Sequence, residues 1–303
     1  MDSDSVSAVS AACSRRVFLA GAVGLALTPA AAPVSKRVNK MRFGFTTYLW
    51  GREWDLPTLI ANCIELKAYG VELRVENKSA HGVELDLDPS RRREVKKRFA
   101  DSPVQVLGLA TSERFDSPDP EKLRASIEKA KRYAQLSYDI GGRGIRVFPN
   151  DFQKTVPREK TIEQIARGVS EVGRSAAGIG QLIRLENHGA AGRLTTLKEI
   201  LDRVPENNVR VKLNSDKRDA EDGRFEEYFN LVKPRLGDTL HMHDLNATDF
   251  PYQLQCNLLM DAGWDGWWLP ELSDPPAPAE RMPGLKAQRR KWEELIQASL
   301  ERA

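Results

Sequence analysis

The feature that most constrains this chain is a repeating change of period. From Met41 onward, short β-rich runs alternate with longer stretches of helical periodicity, the pattern of successive parallel βα units. The predicted strands are Arg42–Thr47, Val71–Val75, Val104–Ala110, Gly144–Phe148, Gln181–Glu186, Val209–Leu213, Thr239–His243 and Gly266–Leu269. Between and after them the periodicity predicts helices over Leu56–Ala68, Arg91–Phe99, Pro120–Tyr138, Thr161–Ala177, Thr195–Val204, Phe225–Val232, Tyr252–Ala262 and Leu285–Arg302. Eight parallel units close into a (β/α)8 barrel, so the expected fold is a single α/β barrel domain over 41–303. Asp119 before Pro120, and Asp55 two residues before Pro57, are start signals for two of the helices. Asn77–Ser90 reads as a long loop.

The strands carry a second pattern. Strands of an all-parallel sheet are covered on both faces and usually read as continuous apolar runs. Here they alternate. Val71-Glu72-Leu73-Arg74-Val75-Glu76 places its apolar set on one face and its charged set on the other, and Ile183-Arg184-Leu185-Glu186-Asn187-His188 repeats this. Arg146 and Phe148 share a face, as do Lys212 and Asn214, and His241 and His243. The apolar face must pack on the helices, so the charged face turns into the barrel. Burying ions there costs several kcal/mol each unless they pair or meet a ligand. A self-satisfied ion-pair network, for example Glu72 with Arg74, accounts for the lower halves of the strands as well as function does. At the C-terminal ends function is favoured, because barrels of this kind work at that face.

The N-terminus reads as an address. Ser14-Arg15-Arg16-Val17-Phe18-Leu19 opens an apolar run to Leu27, followed by Thr28-Pro29-Ala30-Ala31-Ala32. This is a charged region, a short hydrophobic region and a small-residue cleavage zone, with cleavage expected near Ala30. The run is shorter than the roughly 20 residues a membrane span needs. The arginine pair resembles a twin-arginine signal over 1–32, which predicts export by the twin-arginine machinery to the periplasm, with 33–40 as a polar linker. The formal charge of +3 sits partly in that segment, so the remainder is close to neutral. No nucleic-acid partner and no stable membrane span of the mature chain are expected. Cys13 belongs to the signal, and Cys63 and Cys256 read as buried free thiols.

Three of the four histidines, His188, His241 and His243, fall at the ends of predicted strands, together with Glu186 and Glu271. Chance would scatter them, so a site is expected at the barrel mouth. Its mixture of carboxylate and imidazole suits Mn, Mg, Co or Zn. Trp50, Trp54 and Phe115 near strand ends read either as stacking surfaces for a ligand ring or as core packing.

Arg42-Phe43-Gly44-Phe45-Thr46-Thr47-Tyr48, Gly70-Val71-Glu72-Leu73-Arg74, Gly144-Ile145-Arg146-Val147-Phe148, Leu185-Glu186-Asn187-His188-Gly189, His241-Met242-His243-Asp244 and Glu271 resemble, in order and spacing from Met41 to about Ser273, the xylose isomerase-like TIM barrel superfamily of sugar phosphate isomerases and epimerases. The resemblance implies one divalent metal held by Glu186, Asn214, His241 and Glu271. It implies catalysis by Glu186 and Glu271 through proton abstraction next to a carbonyl. Arg184, His188, His243, Arg146 and Lys212 are then expected to bind substrate. Asn214 departs from the pattern, which has an aspartate there. The loss of one negative charge predicts weaker metal binding, unless Asp216 swings in or the Lys212 ammonium takes the place of the metal. Export favours free sugars or oxidised glycosides over sugar phosphates. The alternatives are a 3-keto-glycoside lyase or hydrolase acting by β-elimination, and an exported sugar-binding barrel without catalysis.

Overall fold

In the computed structural model, residues 37–302 are described, so the expected export signal, its cleavage site and Cys13 lie outside the described residues. The described chain is a closed barrel of parallel strands ringed by helices. Strand β1 comes in two pieces, Arg42–Phe43 and Phe45–Thr46. The others are β2 (Gly70–Arg74), β3 (Gln105–Arg114), β4 (Gly144–Phe148), β5 (Leu182–Glu186), β6 (Val209–Lys212), β7 (Thr239–Met242) and β8 (Trp267–Pro270). The helices are α1 (Leu56–Leu66), α2 (Pro89–Ala100), α3 (Pro120–Asp139), α4 (Arg158–Ala177), α5 (Leu194–Leu201), α6 (Phe225–Val232), α7 (Tyr252–Asp261) and α8 (Pro278–Glu301).

Each strand pairs with its neighbours in chain order. The first piece of β1 pairs with β8 and the second with β2, which joins the two ends of the sheet. β7 pairs with β8, and β2 to β6 follow one another in parallel. β6 and β7 meet through one bridge, Val211 with Leu236, and through backbone bonds from Gly237 to Val211 (2.8 Å) and from His241 to Leu213 (2.8 Å).

The starts of α1, α2 and α3 follow from their caps. Asp55, Asp88 and Asp119 each accept backbone N–H groups of the first turn, with proline just inside the helix. The ends of α8 follow less simply. The sequence places its start at Leu285, yet the helix begins at Pro278 and carries Pro283 inside it. Tertiary contact offsets the missing hydrogen bond: Arg281 pairs with Glu53 at 2.7 Å, and α8 at Gly284 packs against the Trp50 ring.

The alternating strands do what their pattern predicts. Val71, Leu73, Val75, Ile183 and Leu185 are wholly buried under the helices, and Glu72, Arg146, Arg184, Lys212 and His241 are buried inside the barrel. Leu107, Trp267 and Leu269 form a small apolar plug inside, with the Arg42 guanidinium 4.4 Å over the Trp267 ring. Trp54 stacks on Phe45 at 5.2 Å and Phe115 is fully buried, so both are core residues, while Trp50 donates its indole N–H to the Ser273 carbonyl at 2.8 Å. Cys63 and Cys256 are free and buried. No helix among the described residues is long and apolar enough to cross a membrane.

Candidate active site

The lumen is arranged in tiers of charge, and two of the expected pocket residues belong to the lower ones. Arg146 and Arg184 occupy paired positions on β4 and β5. Two guanidinium groups side by side repel, and here they diverge. Arg184 turns to the N-terminal end, where Nε and Nη2 meet the Asp238 carboxylate at 2.6 and 3.1 Å and Nη2 donates to the Leu107 carbonyl at 2.9 Å. Gly108 and Gly144 make room for it: a Cβ on either would stand within 3 Å of Arg184 Nη1. The expectation that Arg184 lines the pocket is therefore corrected. Alternation fixes which face a side chain takes, and here the acid below decided the direction along the barrel.

Lys212 is the second correction. It is wholly buried one pleat repeat beneath Asn214, with Nζ 3.1 Å from Glu72 Oε2 and 3.0 Å from Thr239 Oγ1, and it does not line the cavity. Glu72 pairs across the lumen with Lys212 and His241, and not with Arg74 on its own strand. Burial opposes charge on Glu72, yet Lys212, His241 and Arg146 hold its carboxyl well below the usual range. Burial likewise pushes the Lys212 ammonium down, against the pull of Glu72 and Glu186.

Above this tier the ends of β5, β6, β7 and β8 bring Glu186, Asn214, His241 and Glu271 together. His241 Nδ1 lies 3.4 Å from Glu186 Oε1 and 3.2 Å from Glu271 Oε2, and its Nε2 is 2.6 Å from Glu72 Oε1. Asn214 Nδ2 donates to Glu186 Oε1 at 2.6 Å and to Glu271 Oε2 at 3.3 Å. Arg146 Nε stands 3.2 Å from Glu186 Oε2. Burial penalises the His241 cation, but Glu271, Glu186 and Glu72 outweigh it and the neighbouring Lys212, raising the imidazole to about 10. Glu186 and Glu271 are held below the carboxylate range against their own burial, Glu186 chiefly by Arg146 and Glu271 by His241.

This donor set fits a divalent cation. One oxygen each from Glu186 and Glu271 and one nitrogen of His241 lie within 4.8 Å of one another. Asn214 Oδ1 is buried without a hydrogen-bond partner, and turning the amide over would bring it to where Nδ2 now bridges the two carboxylates. Glu72 behind Nε2 supplies the outer carboxylate that metal-binding histidines usually have. Asp216 is not available, because the Arg218 backbone N–H and Nε hold its carboxylate at 3.0 and 2.9 Å.

A cavity of about 640 Å³ opens over this cluster, a size that takes a small ligand. Arg146, His188 and His243 line it, as do Tyr48, Phe148 and Arg74. The Arg146 guanidinium lies 4.0 Å over the Phe148 ring, and Phe148 meets His188 at 4.5 Å with the two rings tilted by 42°, so the three groups adjoin along one wall. Asn187 was not foreseen. Its side chain accepts the Asn214 N–H and donates to the Asn214 carbonyl at 3.2 Å, and so fixes the end of β6 against that of β5. Gly189 (φ 73°) follows because a Cβ there would strike the Asn150 carbonyl at 2.0 Å.

The fold and the mouth-facing constellation define an α/β barrel with a carboxylate and imidazole centre. The xylose isomerase-like TIM barrel family model matches residues 60–301, and the chain belongs to that family. D-psicose 3-epimerase from Clostridium cellulolyticum H10 is similar in structure with a TM-score of 0.68 at 16% identity, covering 86% of this chain and 100% of that one. IOLI protein with a bound zinc atom matches with a TM-score of 0.71 at 15% identity (86% and 100% covered). A 3-keto-D-glucoside 4-epimerase from E. coli matches with a TM-score of 0.67 at 13% identity (83% and 100% covered). No curated protein matches the chain in sequence.

Proposed function

We propose that this chain is a sugar isomerase or epimerase that moves a proton next to the carbonyl of a free sugar or sugar derivative. The observation that carries the reading is the placement of two ionised carboxylates, Glu186 and Glu271, on either side of Asn214 at the cavity floor. Glu186, Asn214, His241 and Glu271 would hold a divalent cation, whose contribution is to stabilise the negative charge that develops on the carbonyl oxygen. Glu271 borders the cavity and takes a proton from the carbon next to the carbonyl. Glu186 faces the same space from β5, takes a proton from water in the open cavity and passes it to the other face, while Glu271 gives up its proton to water, so that both carboxylates end the turnover ionised. Glu186 Oε2 stands 3.2 Å from Arg146 Nε but accepts no hydrogen bond among the described residues, so a lone pair remains for the proton. Arg146 keeps Glu186 ionised between turnovers, and His188 and His243 at the rim orient hydroxyls. The structurally similar proteins include sugar epimerases, which supports a carbohydrate as the small-molecule partner. Export through the twin-arginine pathway belongs to the same proposal, resting on Arg15-Arg16 and the apolar run behind them.

Glu271→Gln tests the reading. Exchange of the substrate hydrogen with deuterated water should fall at least about 100-fold, the usual worth of a positioned base. Undiminished exchange would discard the mechanism.

A further inference from the structure

We infer that the substrate carries a carboxylate and that Arg74 binds it at the β2 wall of the cavity; this rests on the reading of the site as one that handles sugars. Arg74 ends β2 on the face that carries Glu72, one pleat repeat nearer the mouth, and its side chain lines the cavity. The other arginines and the lysine that line it each have an acid. Arg146 Nε is 3.2 Å from Glu186 Oε2, Arg218 pairs with Asp216, and Lys217 Nζ is 3.8 Å from Asp249 Oδ2. Among the described residues Arg74 makes no such pair. Its Nη1 donates to the Val75 and Ala110 carbonyls at 2.5 and 2.8 Å, and its Nη2 to Ser112 Oγ at 2.7 Å, all neutral acceptors. Glu76 and Glu271 act on it only at longer range, and they are matched to Lys129 and His241.

Two consequences follow from that inventory. A guanidinium has five N–H groups, and the Nε–H and the second Nη2–H of Arg74 have no acceptor among the described residues. Nε and Nη2 share one edge of the guanidinium plane, the edge with which such a fork meets the two oxygens of a carboxylate. The three bonds already made hold the plane in place, so little freedom is lost when the anion arrives. The charge left over is a single positive one, which matches a monoanion and leaves a phosphate ester half compensated. A sugar acid with its carboxylate toward β2 and its carbonyl over the Glu186 and Glu271 pair satisfies both.

The test is calorimetric binding to the purified full-length protein in Mn²⁺ buffer, with glucose, galactose and mannose each set against its own uronate. A charge-assisted fork should make at least one uronate about 10- to 100-fold tighter than its neutral sugar. Arg74→Gln should bring that ratio toward one, and Arg74→Lys, which keeps the charge without the fork, should recover only part of it. Equal affinity across all three pairs overturns the inference, as does an equal loss for both members of a pair in Arg74→Gln. Tighter binding of glucose 6-phosphate than of any uronate also overturns it. If Arg74→Gln does not fold, the wild-type ratios and Arg74→Lys decide. Proton exchange, measured separately with keto sugars, judges the catalytic reading, so the two can fail independently.

Discussion

Glu72→Gln is the perturbation that most directly tests how the lumen is held together. The carboxylate is fully buried and accepts from two cations, Lys212 Nζ at 3.1 Å and His241 Nε2 at 2.6 Å. A glutamine keeps the shape but offers one acceptor, and its amide hydrogens must face one of the two donors. Breaking a buried pair by removing one partner costs about 3–5 kcal/mol, because the remaining charge stays desolvated. Lys212 loses its paired acid while His241 keeps Glu186 and Glu271, so the lower part of that range is expected. Urea denaturation of wild type and Glu72→Gln at one pH in chelator measures it, with Lys198→Gln, which breaks the exposed Lys198–Asp202 pair, as the control that should change little. Adding Lys212→Met to Glu72→Gln should recover part of the loss, since it removes one stranded charge. A loss below about 1 kcal/mol would refute the picture of a desolvated, mutually neutralised column of charge.

Three further outcomes are expected. Asn214→Asp restores a unit of negative charge to the ligand set, and should tighten Mn²⁺ binding about 10- to 1000-fold by calorimetry, from roughly 4 kcal/mol of Coulomb energy at about 4 Å reduced by desolvation; unchanged affinity removes Asn214 from the ligand set. His81 is buried, its Nδ1 accepts from Val83 N–H at 3.1 Å, its Nε2 faces the Arg74 carbonyl at 3.0 Å, and burial lowers its imidazole to about 4. Its neutral form is favoured in the fold, so its contribution is complete above the unfolded value near 6.5 and is lost as pH falls from there through about 4. That amounts to roughly 3 kcal/mol, and His81→Gln should flatten this stretch of the stability profile. Gly189→Ala must move the Asn150 carbonyl away and should lower the melting temperature, with a cost of about 1–3 kcal/mol or more.

Local chemistry decides how much of this was readable beforehand. β4 and α6 are found where period and composition put them, over Gly144–Phe148 and Phe225–Val232, because glycine, apolar alternation and a polar outer face all agree there. The start of α8 was hidden by Pro283, whose penalty is local while the contacts that outweigh it, to Glu53 and Trp50, are distant in sequence. β3 runs on to Arg114, four residues beyond the apolar run, through Thr111, Ser112 and Glu113. For the site, alternation identified the lumen-facing set, and the resemblance to xylose isomerase-like barrels singled out Glu186, Asn214, His241 and Glu271 among the strand ends. It could not say whether a long side chain rises or descends. Arg184 and Lys212 descend to acids, Asp238 and Glu72, that stand on other strands. Asn187 escaped notice because an amide that staples two strand ends has no signature of its own until both ends are placed.

The cylinder is not equally sewn all the way round. Between β6 and β7 a bridge and two backbone bonds do the work that ladders of three to five residue pairs do from β2 to β6, and Asn214 and His241 stand on opposite banks of that gap. Any guest gripped from both banks therefore acts as a stitch. Its arrival should slow amide exchange along Val209–Leu213 and Thr239–His243 before it changes protection anywhere else, so occupancy of the mouth can be followed as the closing of a fault line.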